Sequence, residues 1–565
     1  MIKKRLLILK KKFNFLGIDG YVVPKNDEFF SEFSAKNRLR TISNFSGSAG
    51  YAVILKNKNY LFVDGRYSVQ AEIESGNYFT IKNLKEILNC RLFNNITLGI
   101  DPKILTIDEV EKFFLKFNKV KLINFNLIDQ IFNIYPENNK PFYSLRKNIV
   151  GVSHKKKINE VSNILKKSGV DYLFVSAPEN IAWLLNIRGY DNPNSPIPNC
   201  RLLLDKNKKF FIICKKEKLV KLIKEKKITN KQIINPKELT NFFCKIKKGK
   251  FIIDNKTCSV FFRNSLMTNH KITKGNDPIY FLKSIKNKIE INNMVNTHIY
   301  DGVALTKFLY WIKVLNKKKI TEVDAQVKLE KFRKSNKKYL FPSFETIAGS
   351  GANGSIIHYR ATKENTKKIK KKKLFLCDSG GQYKYGTTDV TRTICFSKPS
   401  NYMKNVFTKV LQGHIAVVTS NLKINYNGKL VDKRARASLK KSNLDYDHGT
   451  GHGVGFFSNV HEGPQAISKF NTIKFQEGMV LSNEPGYYKK GKFGIRTENL
   501  IYVKKNKEKL YFVNLTLVPI DKDLINFNLL NKEEKNYLFN YHLNIYLKLS
   551  KYLNQNEKKW LASFI

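Results

Sequence analysis

Four acidic residues and one histidine in the second half of the chain lie inside short apolar or glycine-rich phrases. They are Asp378 in DSGGQY, Asp389 in TTDVTRT, His452 in HGTGHGVG, Glu484 in NEPGYY and Glu498 in IRTENL. Carboxylates within apolar strands are expensive to bury unless they are paired or bound to metal. This ligand set suits two hard or borderline divalent ions that share bridging carboxylates, and not a thiolate zinc site. Because paired ions generate hydroxide at neutral pH and polarise carbonyl or phosphoryl groups, the set indicates a hydrolase.

The first two acidic residues are predicted to meet across a hairpin. Eleven residues separate Asp378 from Asp389, too many for one strand, and Gly380, Gly381 and Gly386 between them are typical of turns. A hairpin would bring both carboxylates to one place. The alternative is a pair of ordinary turn aspartates, which is the commonest setting of this residue type.

Strands are predicted around each acidic residue. An apolar run at 374–377 leads into Asp378, and the alternation from Asp389 to Cys395 indicates a second strand. The apolar pair Val480-Leu481 precedes Glu484, and Gly494-Ile495 precedes Arg496 and Glu498, which alternate on one strand face.

The segment His448-Gly449-Thr450-Gly451-His452-Gly453 places two histidines four residues apart, as in helical zinc sites. Such a site also needs a glutamate, and three glycines oppose a helix. We predict an extended or turning segment whose glycines let the backbone approach the site closely. Five of the nine histidines lie between His358 and His461, a clustering that favours a functional role.

A G-x-G-x-x-G pattern at 349–354 is a weak signal for dinucleotide binding. That motif needs a strand, a turn and a helix, whereas residues 356–359 are typical of a strand. We interpret the pattern as a flexible loop that delivers His358 to the active site.

Two segments in the first half of the chain repeat each other. One helical run ends at Gly17 and is followed by the apolar residues 21–23, and another ends at Gly169 and is followed by 172–175. Each predicts a helix, a glycine C-cap and a buried strand. We therefore predict two related α/β domains in tandem, at residues 1–138 and 139–278, and a larger catalytic domain at 279–565.

Shorter signals support this division of the chain. The proline-bearing stretch 135–141 is typical of a linker, and a long helix is predicted soon after Pro278. The tail from Asn531 to Ile565 is predicted to be helical.

The chain has 565 residues and a formal net charge of +56. Such a charge is typical of nucleic-acid binding. The lysines are nevertheless scattered along the whole length without a recognition module, and Lys, Asn, Ile, Phe and Tyr are all abundant. We interpret the charge as compositional bias and expect no specific nucleic-acid partner.

Cysteine usage and the first residues indicate a cytoplasmic protein. The seven cysteines include no CxxC pair, which favours reduced thiols. The first apolar run, Leu6 to Leu9, is too short for a signal peptide and is predicted to belong to an amphipathic helix. No stretch approaches the roughly 18 to 20 apolar residues of a membrane span, so no membrane association is expected.

With these phrases, the chain resembles the aminopeptidase P (Xaa-Pro aminopeptidase) family of pita-bread metallopeptidases, in its long three-domain cytosolic form. The resemblance covers essentially the whole length and includes phrases of all three predicted domains, FSGSAG at 45–50, IAWLLNIRG at 181–189 and every phrase quoted above. It implies an α/β fold with two tandem creatinase-N-like α/β domains, followed by a pita-bread α+β catalytic domain.

The resemblance also implies a role for individual residues. Asp378 would chelate one metal ion, Asp389 and Glu498 would bridge two, and His452 and Glu484 would complete the other site, with Glu484 also the candidate general base. The family's histidines near the scissile bond correspond to His358, His448 and His461, of which His358 and His461 are also candidate catalytic residues. Substrate-pocket positions correspond to Tyr488 and Arg496.

The activity implied by the resemblance is metal-dependent hydrolysis of the Xaa-Pro bond at the amino terminus of peptides with proline second. Two divalent ions, generally Mn²⁺, and a homodimer are implied as well. Two alternatives stay open at this point. A prolidase, which cleaves only Xaa-Pro dipeptides, would use the same metal set, and a binding scaffold without catalysis could share the fold.

Overall fold

The computed structural model describes residues 2–34, 36–89, 92–132, 138–273, 275–315 and 319–565. The chain forms two compact units, Met1–Tyr280 and Phe281–Ile565. Cys90 and part of the predicted linker, residues 135–137, lie outside the described residues.

Helices are spread over both units. In the first they are α1 (Ile2–Lys11), α2 (Phe13–Leu16), α3 (Arg38–Ser43), α4 (Ser68–Ser75), α5 (Ile107–Val110), α6 (Leu127–Ile131), α7 (Lys147–Val150), α8 (His154–Lys167), α9 (Pro178–Leu185), α10 (Lys216–Lys224), α11 (Leu239–Lys245) and α12 (Val260–Met267). From α13 onward they are α13 (Ile279–Ser284), α14 (Lys288–Tyr310), α15 (Glu322–Lys334), α16 (Asn401–Val418), α17 (Gly428–Lys440), α18 (Lys532–Leu549) and α19 (Gln555–Ala562). The predicted first helix is confirmed as α1.

The first unit contains two six-stranded sheets. Its strands are β1 (Gly20–Pro24), β2 (Tyr51–Leu55), β3 (Asn59–Val63), β4 (Thr80–Asn83), β5 (Thr97–Ile100), β6 (Lys119–Leu122), β7 (Tyr143–Ser144), β8 (Tyr172–Val175), β9 (Ile187–Arg188), β10 (Arg201–Asp205), β11 (Phe210–Ile213), β12 (Ile233–Ile234), β13 (Lys250–Ile253) and β14 (Lys271–Thr273).

The two sheets have the same topology. Their orders are β4-β3-β2-β1-β5-β6 and β12-β11-β10-β8-β13-β14. In each, the first long strand pairs antiparallel with one neighbour and parallel with the other. Gly17 and Gly169 precede these strands with φ of 57° and 63°, a left-handed conformation that glycine adopts without a Cβ clash. The predicted tandem pair of α/β folds is therefore confirmed.

The second unit contains the strands that carry the acidic phrases. They are β15 (Tyr339–Pro342), β16 (Ile347–Ser350), β17 (Phe375–Ser379), β18 (Gly381–Tyr383), β19 (Gly386–Thr387), β20 (Val390–Ile394), β21 (Gly451–Gly453), β22 (Glu462–Ile467), β23 (Val480–Asn483), β24 (Gly486–Lys489), β25 (Phe493–Arg496), β26 (Asn499–Asn506) and β27 (Lys509–Asn514).

Two of its sheets hold the predicted ligands. One has the order β16-β17-β20 and the other β22-β21-β23-β26-β27. Apolar side chains of α14 and α15, among them Phe308 and Leu329, pack against Phe375 and Ile394 of the three-stranded sheet. Helices α16 and α17 contribute Val417 and Ala435 to the core beneath the five-stranded sheet. Buried helices thus fix the sheets on which the ligand residues lie.

The structure corrects three local predictions. Residues 356–359 form a turn after a 3₁₀ helix, Gly351–Ser355, and not a strand. Arg496 ends β25 and Glu498 precedes β26, so the two do not alternate on one strand. The helical tail is interrupted between Leu549 and Gln555, where Leu553 turns into the core.

Candidate metal centre

The predicted hairpin forms and places the first two carboxylates side by side. Strand β17 pairs antiparallel with β20, with Asp378 opposite Thr391. Asp389 directly precedes β20. The glycine-bearing residues between the two strands form β18 and β19, which pair with each other. Asp378 on β17 and Asp389 directly before β20 therefore lie at the same end of two paired strands, and are not isolated turn aspartates.

The other predicted ligands come from the five-stranded sheet. His452 is the central residue of β21. Asn483 pairs with Asn499 across β23 and β26, so Glu484 and Glu498 flank that pair on the same side. The Glu498 backbone N–H donates to the Thr391 carbonyl at 3.2 Å, which joins this sheet to the hairpin.

These elements bring the predicted ligand atoms together. One ligand atom each of Asp389, His452 and Glu498 lies within 4.8 Å of the other two. His452 Nε2 lies 3.5 Å from Asp389 Oδ2 and 3.6 Å from Glu484 Oε1. The His452 Nδ1 lies 2.9 Å from the Gly453 carbonyl, so it acts as the donor and leaves Nε2 facing the carboxylates.

The fifth predicted ligand, Asp378, is held by an arginine. Arg496 donates to Asp378 Oδ2 at 2.6 Å and to the Tyr488 hydroxyl at 2.7 Å. The other oxygen, Asp378 Oδ1, is buried and has no hydrogen-bond partner among the described residues. A buried carboxylate oxygen without a donor is costly, and a cation at that point would satisfy it.

Crowding of carboxylates dominates the electrostatics of the site. Burial, with Asp389 and Glu484 nearby, raises the pKa of Asp378 to about 7 although Arg496 opposes the shift. Burial and the neighbouring carboxylates also raise the pKa of Glu498 well above its ordinary value. Buried carboxylates that lie near one another repel each other and lose hydration, and both effects favour protonation unless a cation is bound. The residues therefore fit divalent metal ions.

The histidine and Glu484 show the opposite trend. Burial alone would lower the pKa of His452, but Asp389 and Glu484 raise it to about 9. Burial alone would raise the pKa of Glu484, but His452, His448 and Arg496 lower it. The attraction between the His452 imidazole and the carboxylate of Glu484 contributes to both shifts.

A second histidine is held neutral beside the carboxylates. His448 Nε2 lies 3.0 Å from the Tyr488 hydroxyl and Nδ1 lies 2.8 Å from the Gly449 carbonyl. Burial lowers the pKa of His448 to about 4, so the ring is uncharged at neutral pH. Of the remaining predicted histidines, His461 packs its ring 4.2 Å from that of His452, and His358 lies half-buried in the turn after the 3₁₀ helix.

Sequence reasoning missed several residues around the site. Thr391 donates to Glu498 Oε2 at 2.6 Å and accepts from Arg496 Nε at 3.0 Å. Asp301 and Arg333 form a buried ion pair behind the hairpin. A signal for Asp301 existed, because it is an acidic residue on the buried side of the long apolar helix α14. No comparable local signal distinguished Arg333 from other basic helix residues.

Another group of potential ligands is already occupied. One ligand atom each of Cys395, Asp521 and Asp523 lies within 4.8 Å of the others. The Lys313 ammonium lies 2.5 Å from Asp521 Oδ1 and 2.9 Å from Asp523 Oδ2. Because the Lys313 ammonium supplies the positive charge there, we interpret this cluster as an ion pair and not as a metal site.

Within the described part of the chain, no helix has the length and apolarity to cross a bilayer.

Comparison with family models covers nearly the whole chain. The model of metallopeptidase family M24 matches residues 292–505, and that of the C-terminal region of peptidase M24 matches 508–563. Two models of the creatinase/prolidase N-terminal domain match residues 5–131 and 135–290. With the two sheet topologies above, these matches confirm the predicted fold class.

Individual relatives extend over the full length. A probable Xaa-Pro aminopeptidase P of Coprinopsis cinerea is 35% identical, covering 99% of this chain and 96% of its own. Xaa-Pro aminopeptidase 1 of Dictyostelium discoideum is 35% identical, covering 100% and 96%. Aminopeptidase P2 of Arabidopsis thaliana is 34% identical, covering 97% and 85%.

Solved structures give the same result. An X-prolyl aminopeptidase from Caenorhabditis elegans, described as a cytosolic enzyme with a di-nuclear active site, is 28% identical with a TM-score of 0.92 and covers 100% of this chain and 99% of its own. A prolidase from Thermococcus sibiricus is 26% identical with a TM-score of 0.53 and covers 65% of this chain and 98% of its own. Full-length relatives above 30% identity and the family M24 match together show that the chain belongs to the aminopeptidase P group of metallopeptidase family M24.

Proposed function

We propose that the chain is a metal-dependent aminopeptidase that hydrolyses the bond between an amino-terminal residue and a proline in second position. The observation that carries the proposal is the convergence of Asp389, His452 and Glu498, with Asp378 and Glu484 beside them, in a chain whose full-length relatives are named Xaa-Pro aminopeptidases. A non-catalytic scaffold is disfavoured because each of the five ligand positions carries a residue that can bind a metal ion.

The acidic set would hold two divalent ions. Asp378 would bind one, Asp389 and Glu498 would bridge both, and His452 with Glu484 would complete the other. Divalent ions, when bound, supply a Lewis acid for the scissile carbonyl and lower the pKa of water. The donor set of oxygens and one imidazole suits Mn²⁺, which we propose as the metal. The related C. elegans enzyme is described as di-nuclear, which supports two ions.

Residues around the ligands would act on protons and on the peptide. Glu484 is the proposed general base because it lies among the ligand residues, with Oε1 3.6 Å from His452 Nε2, where an ionised carboxylate could take a proton from water. Neutral His448 and the Tyr488 hydroxyl form a polar wall that would orient the peptide. His358 and His461 are the proposed donors to the developing oxyanion. Arg496 would keep Asp378 in place.

An aminopeptidase fits the chain better than a prolidase. An amide to proline has no N–H, so recognition must rely on the amino terminus and on the proline ring. The solved prolidase covers only 65% of this chain, whereas the X-prolyl aminopeptidase covers all of it. We propose in addition a cytoplasmic location, as described for the C. elegans enzyme, and a homodimer.

Peptides of different length test the proposal. A tripeptide with proline second should release its first residue, and the chelated protein should regain this activity with Mn²⁺. A tripeptide with proline third should keep its first bond intact, because the proposed activity requires proline directly after the bond that is cleaved. Cleavage of Xaa-Pro dipeptides alone would replace the proposal with a prolidase. Full activity in a verified metal-free sample would refute the metal centre.

A further inference from the structure

A buried ion pair lies directly behind the two carboxylates of the hairpin. Asp301 is on α14 and Arg333 on α15, and their side chains are 4% and 1% exposed. Such a pair gains little net stability, because the loss of hydration offsets most of the attraction between the charges. Its position therefore calls for a reason other than folding energy.

The arginine reaches the strand that carries Asp378. Arg333 Nε donates to Asp301 Oδ1 at 2.8 Å, and one terminal nitrogen lies 3.3 Å from Asp301 Oδ2. The same terminal nitrogen donates to Ser379 Oγ at 3.1 Å. Ser379 is the residue directly after Asp378, so a fixed arginine fixes the end of that strand.

The aspartate reaches the residue beside Asp389. The Thr388 side chain lies beside Asp301 and helps to lower the pKa of that carboxyl, and Thr388 is the residue directly before Asp389. Tyr383 lies in the connecting segment between Asp378 and Asp389, and its hydroxyl also donates to Asp301 Oδ1 at 2.8 Å. Three points of the ligand-bearing hairpin, at Ser379, Tyr383 and Thr388, thus converge on one ion pair.

The connecting segment between Asp378 and Asp389 is rich in glycine, and contacts with the ion pair restrict its conformation. Gly380, Gly381 and Gly386 have no side chains that could hold this segment in place, so the positions of Asp378 and Asp389 depend on strand pairing and on contacts from outside the segment. Two metal ions that share carboxylates require that distance to be fixed. Helices α14 and α15 pack against the same sheet and supply a rigid base.

We propose that Asp301 and Arg333 are positioning residues that set the separation of Asp378 and Asp389 through Ser379 and Thr388. This inference rests on the proposed two-metal site and assigns it a supporting layer on α14 and α15. Neither residue has to touch a metal ion or the substrate.

The test measures Mn²⁺ affinity of the chelated protein by calorimetric titration, with the unfolding temperature of the metal-free protein recorded in parallel. Ser379→Ala removes the link from Arg333 to the ligand strand and leaves the ion pair intact. It should weaken Mn²⁺ binding about tenfold or more, as expected for loss of a supporting hydrogen bond, with little change in the metal-free unfolding temperature. Arg333→Met should weaken binding further, and Arg333→Lys should restore part of it.

A matched control removes a buried arginine far from the ligand set in sequence. Arg38 is 1% exposed and pairs with Glu28 and Asp129 in the first unit. Arg38→Met should lower the unfolding temperature and leave Mn²⁺ affinity unchanged. Wild-type Mn²⁺ affinity in Ser379→Ala would overturn the positioning role while the metal centre stands. If the unaltered protein binds no Mn²⁺, the metal centre itself fails and the positioning role fails with it.

Discussion

At the scale of a single residue, Glu484 has two proposed roles, as a metal ligand next to His452 and as the general base. The substitution Glu484→Gln keeps the shape but removes the charge and the basicity. Activity at saturating Mn²⁺ should fall by about a thousand-fold, since general-base help is typically worth 10²–10⁴ and metal binding also weakens. Circular dichroism should show an unchanged fold. Comparable turnover in the variant and the unaltered protein would remove Glu484 from the mechanism.

The control for this variant has to be an exposed glutamate of the same unit. Glu462 is close to Glu484 in sequence but is unsuitable as a control. Its side chain is 3% exposed, lies 3.3 Å from the Lys283 ammonium and also pairs with buried Lys286. Neutralising it would leave buried ammonium groups without a partner. Glu508 is 93% exposed, and Glu508→Gln should keep full activity.

A buried histidine away from the site gives a prediction about pH. Burial, with Arg392 and Lys522 nearby, lowers the pKa of His542 from 6.5 to about 4, and its Nε2 accepts from the Ile520 N–H at 3.2 Å. Between about pH 6.5 and pH 4, His542 is protonated in the unfolded chain but not in the folded chain. The free energy of unfolding is therefore highest above pH 6.5 and decreases as the pH falls towards 4. Between pH 7 and 5 the loss should be about 2 kcal/mol.

The measurement is the free energy of unfolding by denaturant at pH 7 and at pH 5, followed through a spectroscopic signal from the second unit. His542→Gln keeps an acceptor for Ile520 but cannot titrate, so its stability should fall less between the two pH values than that of the unaltered protein. An equal fall in both proteins would show that His542 does not contribute to the pH dependence.

At the scale of elements, the hairpin between β17 and β20 depends on close backbone approach at Gly380. A Cβ at this position would lie 2.0 Å from the Thr388 carbonyl oxygen and 2.2 Å from Ser343 Oγ. Gly380→Ala therefore has to push the strand ends apart, at a cost of about 1–3 kcal/mol or more. Since Thr388 adjoins Asp389, Mn²⁺ affinity should fall together with stability.

Gly65→Ala serves as the control, because a Cβ there meets nothing within 4 Å. Its unfolding temperature and Mn²⁺ affinity should match those of the unaltered protein. Normal metal affinity in Gly380→Ala would mean that the hairpin tolerates this displacement and that its tight turn is not required for the site.

At the scale of the whole molecule, the net charge of +56 predicts how the protein meets polyanions. If the charge is compositional, binding to DNA or RNA should be weak, independent of sequence and lost between about 50 and 200 mM salt. Fluorescence anisotropy with two unrelated oligonucleotides measures this. Sequence-selective binding that survives such salt would contradict the compositional interpretation.

The densest run of lysines provides a sharper test of the same point. Seven of the eleven residues at 363–373 are lysines, all of them exposed. Replacing Lys370, Lys371, Lys372 and Lys373 by glutamine should weaken binding no more than replacing four scattered lysines, Lys224, Lys231, Lys247 and Lys248. A much larger loss in the first variant would identify the run as a specific polyanion surface.

The sequence by itself determined the repeated α/β units and the hairpin between Asp378 and Asp389. Glycine after a helical run predicts a C-cap, and apolar runs bounded by turn residues predict buried strands, because these preferences act over a few residues. The resemblance to a known family indicated the ligand set, and the structure brings those side chains together.

Tertiary structure alone decided what holds the ligands. Arg496 and Asp378 are 118 positions apart, and Arg333 and Ser379 are 46 apart, so no local pattern relates them. The same holds for Lys283 and Lys286 at Glu462, and for the break that puts Glu498 between strands. Charged side chains are buried only where partners from distant segments meet them, and packing of whole helices and sheets sets those meetings.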